Sequence, residues 1–134
     1  VTKSLDPRFV SRSCDELLAT SDVLSINIPA TAQNRNLFNA AMFSKMKKGS
    51  YLVNASRGSL VDSVALAAAL KSGHLSGAAL DVIDGEPASA DNPLLNNPKV
   101  LLTPHVAYLS QFTQKAYITV QAQNVIDFYN EKAG

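Results

Sequence analysis

The sequence lacks most of the features that would place it in a specialised class of proteins. It has no tryptophan and a single cysteine, Cys14, which excludes an internal disulfide and a cysteine-based metal cluster. Its two histidines, His74 and His105, are far apart with no third ligand near either, so a zinc site is not expected. The chain also has no low-complexity tract and no internal repeat.

Neither charge nor hydrophobic length points to nucleic acid or to a membrane. The 12 basic and 11 acidic residues are scattered and leave a net charge of +1, which argues against a nucleic-acid-binding surface or a polybasic membrane anchor. No apolar run approaches the roughly 20 residues that span a bilayer, and nothing resembles a signal peptide. We therefore expect a cytoplasmic protein with no nucleic-acid or membrane partner.

What the sequence does contain is the material for one packed domain. Its 134 residues are 46% hydrophobic and 17% charged, a balance that predicts a buried core. The chain begins Val1-Thr2-Lys3, without an initiator methionine, and we expect it to be a piece of a longer protein.

Apolar runs bounded by turn residues predict strands and helices that alternate along the chain. The predicted strands are Phe9–Val10 (a short strand end), Val23–Ile28, Tyr51–Asn54, Gly77–Val82 and Val100–Leu102. The predicted helices start at the capping-box pair Ser13 and Glu16, at Leu37, at Asp62 and at Ser110, with one helical turn at Pro93–Leu95. Strands that are continuous apolar runs are typical of a parallel sheet with helices on both faces, so the predicted fold class is α/β.

The stretch Val53–Asp62 places one arginine and one glycine at a predicted strand-to-helix turn. In open α/β sheets, ligands bind outside the carboxyl ends of the strands. The planar guanidinium of Arg57 can meet a carboxylate with two parallel hydrogen bonds, and Gly58 permits a sharp turn and a close ligand. These residues alone leave open that Arg57 is a solvated loop residue and Gly58 only a turn.

Charged or titratable groups lie at or just past the ends of three successive predicted strands: Arg57, then Asp81 with Glu86 (after Ala78–Leu80), then His105. Because the carboxyl ends of parallel strands share one edge of a sheet, these groups can converge. Pro104 fixes the backbone before His105, and a carboxylate near a histidine orients the ring for acid–base work. Singly, each group has a structural explanation: a solvated loop acid, a helix-end cap or a turn histidine. Their joint placement favours a catalytic site.

Eight short motifs then follow one another along nearly the whole chain: Asp15–Leu18, Ser21–Val23, Leu52–Gly58, Val61–Asp62, Gly77–Val82, Glu86–Pro87, Pro93–Leu94 and Thr103–Ala107. In this order they resemble the D-isomer-specific 2-hydroxyacid dehydrogenases, which interconvert 2-keto and 2-hydroxy acids with a nicotinamide cofactor. The resemblance implies the second half of a Rossmann-type doubly wound parallel sheet, a partial dinucleotide-binding domain over residues 1–108. Residues 109–134 would form a C-terminal helix that returns toward the substrate domain.

The resemblance also implies roles for the residues at the strand ends. Arg57 would bind the substrate carboxylate and polarise its carbonyl, and His105 would be the acid in reduction and the base in oxidation, with Glu86 as its partner. Asp81 would hold the nicotinamide carboxamide. The implied cofactor is NAD, with NADP left open, and its contacts would be Ile28, Pro29, Asn54, Ala55, Ser56, Arg57, Asp81 and His105. The implied substrate is a small 2-keto or 2-hydroxy acid, the implied assembly a homodimer, and no metal is implied.

The sequence departs from the family pattern chiefly by what is missing. The glycine-rich G-x-G-x-x-G turn that cradles the pyrophosphate does not occur in it, so we expect these residues alone to be inactive. Tyr108 stands where a small residue is frequent, and we expect it to shape the substrate pocket. Two alternatives stay open: a non-catalytic dinucleotide-binding or scaffold relative, and another Rossmann-type dehydrogenase in which Arg57 is structural. The intact set of Arg57, Glu86 and His105 favours the enzyme.

Overall fold

The structure is a computed structural model, and it describes residues 8–133. The first residues of the predicted domain, 1–7, lie outside the described range. The chain divides into two compact units, one ending at Pro104 and the other starting at His105. The strands are β1 Val23–Ile26, β2 Tyr51–Asn54, β3 Gly77–Leu80 and β4 Val100–Leu102. The helices are α1 Cys14–Thr20, α2 Ala40–Lys45, α3 Ser63–Lys71 and α4 Gln111–Ala133, with 3-10 turns at Ala32–Asn34 and Gly58–Leu60.

The four strands form one parallel sheet in the order β1-β2-β3-β4. Each strand pairs with the next one along the chain, and helices α2 and α3 make the first two crossovers. Crossovers between parallel strands are right-handed in nearly all proteins. Because both of these crossovers step across the sheet in the same direction, they place α2 and α3 on the same face. The predicted α/β fold with a parallel sheet is confirmed.

The hydrophobic core lies between that face of the sheet and the helices. Alternate strand residues in register, such as Leu24 with Leu52 and Ala78, point toward it. The helices contribute apolar side chains that are almost completely removed from water: Leu18, Phe43, Leu66 and Leu70. Burial of an aliphatic or phenyl side chain stabilises a fold by about 1.5–3 kcal/mol, so these contacts hold the sheet and helices together.

The opposite face of the sheet is exposed in the unit that ends at Pro104. Val23, Tyr51 and Leu101 point to this side and are 57%, 51% and 65% exposed. Helices were predicted on both faces, but the described helices of this unit cover only one. The reason is the uniform direction of the crossovers, which is how the second half of a doubly wound sheet is built.

Several predicted boundaries differ from the structure. Phe9 and Val10 are exposed and belong to no strand, and Pro93–Leu95 is a turn rather than helix. Helix α2 starts at Ala40, later than predicted, because Asn39 caps it by accepting hydrogen bonds from the amides of Ala41 and Met42.

The predicted cap of α1 is confirmed. The Ser13 hydroxyl accepts a hydrogen bond from the Glu16 amide at 3.3 Å, and the Glu16 carboxylate accepts one from the Ser13 amide at 2.9 Å. The bond from the Ser13 amide, with a second one that the Ser13 hydroxyl donates to the same carboxylate at 2.8 Å, favours the ionised form and lowers the pKa of Glu16. One residue before Glu16, the Asp15 carboxylate accepts a hydrogen bond from Lys45 of α2 at 2.8 Å and raises the pKa of that lysine.

The second unit consists of the segment from His105 and the long helix α4. Ser110 caps the helix as predicted, because its hydroxyl accepts a hydrogen bond from the Thr113 amide at 3.0 Å. Several large apolar side chains of α4 are exposed, among them Phe112, Ile118 and Phe128. No helix among the described residues has the length and apolar composition that crossing a membrane requires.

Candidate active site

The carboxyl ends of the strands lie at one edge of the sheet because all four strands are parallel. Ile28 and Pro29 follow β1, residues 55–58 follow β2, Asp81 follows β3 and Thr103 follows β4. Hydrogen bonds and close backbone contacts connect these segments to one another.

Asn54, the last residue of β2, shapes the turn that presents Arg57. Its side chain is 1% exposed and uses both ends of its amide within the turn. The Nδ2 group donates to the Arg57 carbonyl at 2.9 Å, and Oδ1 accepts from the Ser56 amide at 3.0 Å. A buried amide with both ends satisfied fixes the path of the backbone around it.

Ser56 joins this turn to the segment after β1. Its hydroxyl donates to the Ile28 carbonyl at 2.6 Å. Ile28, Pro29 and Ala55 are exposed at the same edge and offer carbon surface to a ligand.

Arg57 is exposed at the end of the turn. Its guanidinium donates one hydrogen bond, from Nη1 to the carbonyl of Ser56 at 2.7 Å. A guanidinium carries five N–H donors, so the group can still bind an anion in a two-pronged arrangement.

Gly58 lets the turn pack directly on the loop after β3. A Cβ atom at this position would lie 2.0 Å from the carbonyl carbon of Ile83 and 2.4 Å from the nitrogen of Asp84. No side chain fits in that space, and the neighbours are main-chain atoms that cannot turn aside. The backbone contact therefore sets the spacing between the Arg57 turn and the loop that leads to Glu86.

Asp81 is the buried carboxylate of this edge, at 7% exposure. Its backbone amide donates to the Asn54 carbonyl at 2.9 Å, and its Oδ1 atom accepts a hydrogen bond from the Thr103 hydroxyl at 2.5 Å. Buried carboxylates occur where partners of this kind compensate the loss of water.

Glu86 is exposed at the end of the same loop. Its Oε1 atom accepts a hydrogen bond from the Ile83 amide at 3.0 Å, so the side chain folds back over the loop that carries it. Asp84, which lies between Ile83 and Glu86 in the sequence, forms an ion pair with Arg35 from the segment after β1.

His105, the first residue of the second unit, has a left-handed backbone conformation with φ of 55°. Asn36 and Asn96 also have positive φ, and asparagine and histidine both occur in that region more often than most residues. Non-glycine residues in such conformations cluster at functional sites. His105 is exposed, as is Tyr108.

Three contacts at this edge were missed by the sequence prediction: the Thr103–Asp81 hydrogen bond, the Arg35–Asp84 ion pair and the Asn54 amide within its turn. Thr103 could have been found, because it follows β4 at the position that Asp81 occupies after the neighbouring strand β3. No group of three metal-ligating side chains suitable for an ion occurs among residues 8–133.

The chemistry of this edge fits the nicotinamide end of a dinucleotide. A nicotinamide ring presents a flat apolar surface and a carboxamide that donates hydrogen bonds. The edge offers the exposed carbon surface of Ile28, Pro29 and Ala55, and a buried carboxylate, Asp81, one strand away from Asn54. A parallel α/β sheet with its polar groups at the carboxyl edge is the arrangement of the Rossmann-like class of folds.

Comparison with known proteins identifies the family within that class. Residues 2–107 match the NAD-binding domain of the D-isomer-specific 2-hydroxyacid dehydrogenases. This chain belongs to that family.

The individual relatives have the names of dehydrogenases and reductases, and each is longer than this chain. A putative 2-hydroxyacid dehydrogenase of Haemophilus influenzae is 41% identical over 87% of this chain and 38% of its own length. The 4-methyl-2-oxopentanoate reductase A of Aspergillus oryzae is 48% identical over 77% of this chain and 31% of its own. The solved structure of a D-2-hydroxyisocaproate dehydrogenase superimposes with a TM-score of 0.85 at 29% identity, covering 98% of this chain and 44% of that one. The chain thus spans between about a third and two-fifths of the length of these two curated relatives.

Proposed function

We propose that the protein containing this chain transfers a hydride between a nicotinamide cofactor, NAD or NADP, and a small 2-keto or 2-hydroxy acid. The observation that carries the proposal is the Asn54–Gly58 turn, which presents Arg57 and packs against the loop of Asp81 and Glu86. The names of the relatives support the same class of substrate.

Arg57 would bind the carboxylate that all 2-keto acids share. Two parallel hydrogen bonds would also orient the adjacent carbonyl, and the positive charge would stabilise the negative charge that develops on its oxygen during reduction.

Asp81 would accept a hydrogen bond from the nicotinamide carboxamide, while Ile28, Pro29 and Ala55 supply carbon surface and Asn54 and Ser56 hold the turn around the ring. The bound cofactor supplies the hydride; the protein supplies position and charge.

His105 would donate the proton to the keto oxygen, with Glu86 as its partner, and would accept the proton in the reverse reaction. The left-handed backbone of His105 supports a functional role, because that conformation is unfavourable unless the fold requires it.

Replacing Glu86 with glutamine tests the pairing. A carboxylate near the imidazole favours its protonated form, so removing the charge should shift the alkaline limb of the reductive pH–rate profile to lower pH. Glutamine keeps an oxygen that can accept from the Ile83 amide, so the loop should stay in place. An Asp84→Asn variant is the control for loss of a nearby negative charge. A limb that stays in place in Glu86→Gln would contradict the pairing.

The function itself is tested with the full-length protein and NADH or NADPH. We expect oxidation of the cofactor with 4-methyl-2-oxopentanoate, the acid in the name of one relative, and none with a ketone of similar size that lacks the carboxylate. Cofactor binding without turnover of any 2-keto acid would favour the non-catalytic scaffold instead.

Two further properties belong to this proposal. A homodimer is supported by the exposed apolar side chains of the sheet and of α4. A cytoplasmic location is supported by the single exposed thiol of Cys14, which suits a reducing compartment. The division between a partial dinucleotide-binding domain (1–108) and a C-terminal helix (109–134) stays a prediction.

A further inference from the structure

Thr103 and Asp81 occupy equivalent places at the ends of neighbouring strands. The register pairs Leu80 of β3 with Leu102 of β4, so the next residue of each strand stands opposite the other. The main chain holds both: the Asp81 amide donates to the Asn54 carbonyl and the Thr103 amide to the Leu80 carbonyl, each at 2.9 Å.

The side-chain contact between them is short and shielded from water. The Thr103 hydroxyl donates to Asp81 Oδ1 at 2.5 Å, a distance typical of a hydroxyl bound to an ionised carboxylate. Asp81 is buried and Thr103 half-buried, so water competes weakly for this bond. Threonine is also stiff about its first side-chain torsion, and its hydroxyl keeps one direction better than that of serine would.

We propose that Thr103 is a positioning residue for recognition of the nicotinamide carboxamide. It holds the Asp81 carboxylate in the one rotamer from which a further lone pair can accept an amide N–H of the cofactor. The inference rests on the proposed function, since it presupposes that Asp81 meets the carboxamide. A carboxylate fixed in advance binds more tightly, because the cofactor does not have to order it.

The role can be separated from a general effect on folding by a cofactor analogue. In the 3-acetylpyridine analogue of NAD, an acetyl group replaces the carboxamide, so the carbonyl is kept and the N–H donors are lost. A residue that positions the acceptor for an N–H should affect binding of NAD and leave binding of this analogue nearly unchanged. A residue that only supports the fold should affect both equally.

The experiment measures dissociation constants of NAD and of the acetylpyridine analogue by calorimetry on the full-length protein. Thr103→Val keeps the shape and removes the donor, and we expect it to weaken NAD about tenfold, the lower end of the effect of a hydrogen bond to a charged group. Binding of the analogue should change less than about twofold. Thr103→Ser keeps the hydroxyl donor and should retain most of the NAD affinity that Thr103→Val loses. Thr20→Val, on the exposed side of α1, is the matched control and should change neither constant.

Equal weakening of both cofactors by Thr103→Val, or no weakening of either, would overturn the inference. If the valine variant unfolds, Thr103→Ala can replace it, and it should likewise weaken binding of NAD more than binding of the acetylpyridine analogue. Asp81→Ala separates this failure from a failure of the proposed function. If Asp81→Ala selectively weakens NAD while the Thr103 variants do not, only the role of Thr103 is wrong. If Asp81→Ala shows no selectivity either, the proposed contact between Asp81 and the carboxamide is wrong as well.

Discussion

The guanidinium of Arg57 donates one hydrogen bond within its own turn, to the Ser56 carbonyl at 2.7 Å. Together with the Asn54 amide, this bond holds the residue in a defined direction before any ligand arrives. Such preorganisation makes the geometry of the side chain, and not only its charge, available for recognition.

In the full-length protein, Arg57→Lys should therefore impair the proposed reaction nearly as much as Arg57→Ala. Lysine keeps the positive charge but loses the two-pronged hydrogen bonding, and we expect kcat/KM for a 2-keto acid to fall about 10- to 100-fold. Arg12→Lys, on the exposed surface beside Glu16, is the matched control and should not change the kinetics. Near-normal steady-state kinetics for Arg57→Lys would contradict the two-pronged binding and would mean that only the positive charge matters.

His105 allows two changes that remove the same imidazole but treat the backbone differently. Both His105→Ala and His105→Gly should lose roughly 10²–10⁴-fold in turnover, the usual contribution of an acid–base group, with cofactor binding retained. Glycine accepts a φ of 55° freely and alanine does not, so the glycine variant should have a free energy of unfolding higher by about 1 kcal/mol. Denaturant titration of the two variants measures this difference. Wild-type turnover in either variant would exclude His105 as the acid–base residue.

Among the elements of the fold, the turn after β2 depends most on one residue type. Gly58→Ala should cost about 1–3 kcal/mol of stability and should also lower kcat/KM, because the added methyl group must push the Arg57 turn away from the Ile83–Asp84 backbone.

Gly73→Ala provides the comparison for this prediction. Gly73 has φ of 73°, and no atom lies within 4 Å of the place that a Cβ would occupy, so alanine there strains the backbone without displacing a neighbour. It should cost about 1 kcal/mol and leave the kinetics unchanged. Urea unfolding and kcat/KM are measured for both variants. Unaltered kinetics in Gly58→Ala would show that the spacing of the two loops does not matter for the reaction.

Local patterns predicted most of the elements and missed contacts that depend on distant residues. The strand Tyr51–Asn54 and the caps at Ser13, Asp62 and Ser110 follow from short-range signals, and the structure has them where predicted. Helix α2 was predicted to start too early because Phe38 fits the helical apolar pattern, whereas it bridges to Val61 across the fold.

The same distinction holds for the candidate site. The topology of a parallel sheet places residues after successive strands at one edge, so the positions of Arg57 and Asp81 could be predicted. The contact of Asp81 with Thr103 also follows from the register of β3 and β4, but it was overlooked. The contact of Asp84 with Arg35 could not be predicted, because Arg35 reaches it from a loop whose path the sequence does not encode locally.

At the scale of the whole molecule, the sheet of the unit that ends at Pro104 carries exposed apolar side chains on one face. Its end strand β1 pairs only with β2 among the described residues. Unpaired strand edges and exposed apolar surface favour association with another chain. We expect the 134 residues alone to self-associate at micromolar concentration, measured by size-exclusion chromatography with light scattering. The double variant Val23→Lys and Leu101→Lys should increase the monomer fraction, while Val64→Lys, an exposed position of α3, should not. A stable wild-type monomer that unfolds cooperatively would contradict this prediction.

The contact of Gly58 with the main chain of Ile83 and Asp84 has a consequence for protein engineering. Side chains that line a site can be exchanged to enlarge or narrow it, but a distance set by two touching backbones can change only at Gly58 itself, and there at a cost in stability. If the full-length protein acts on 2-keto acids as proposed, directed evolution toward bulkier acids should therefore select mutations among the exposed side chains at the carboxyl edge of the sheet. The separation of the Arg57 turn from the Glu86 loop would pass unchanged through every improved variant.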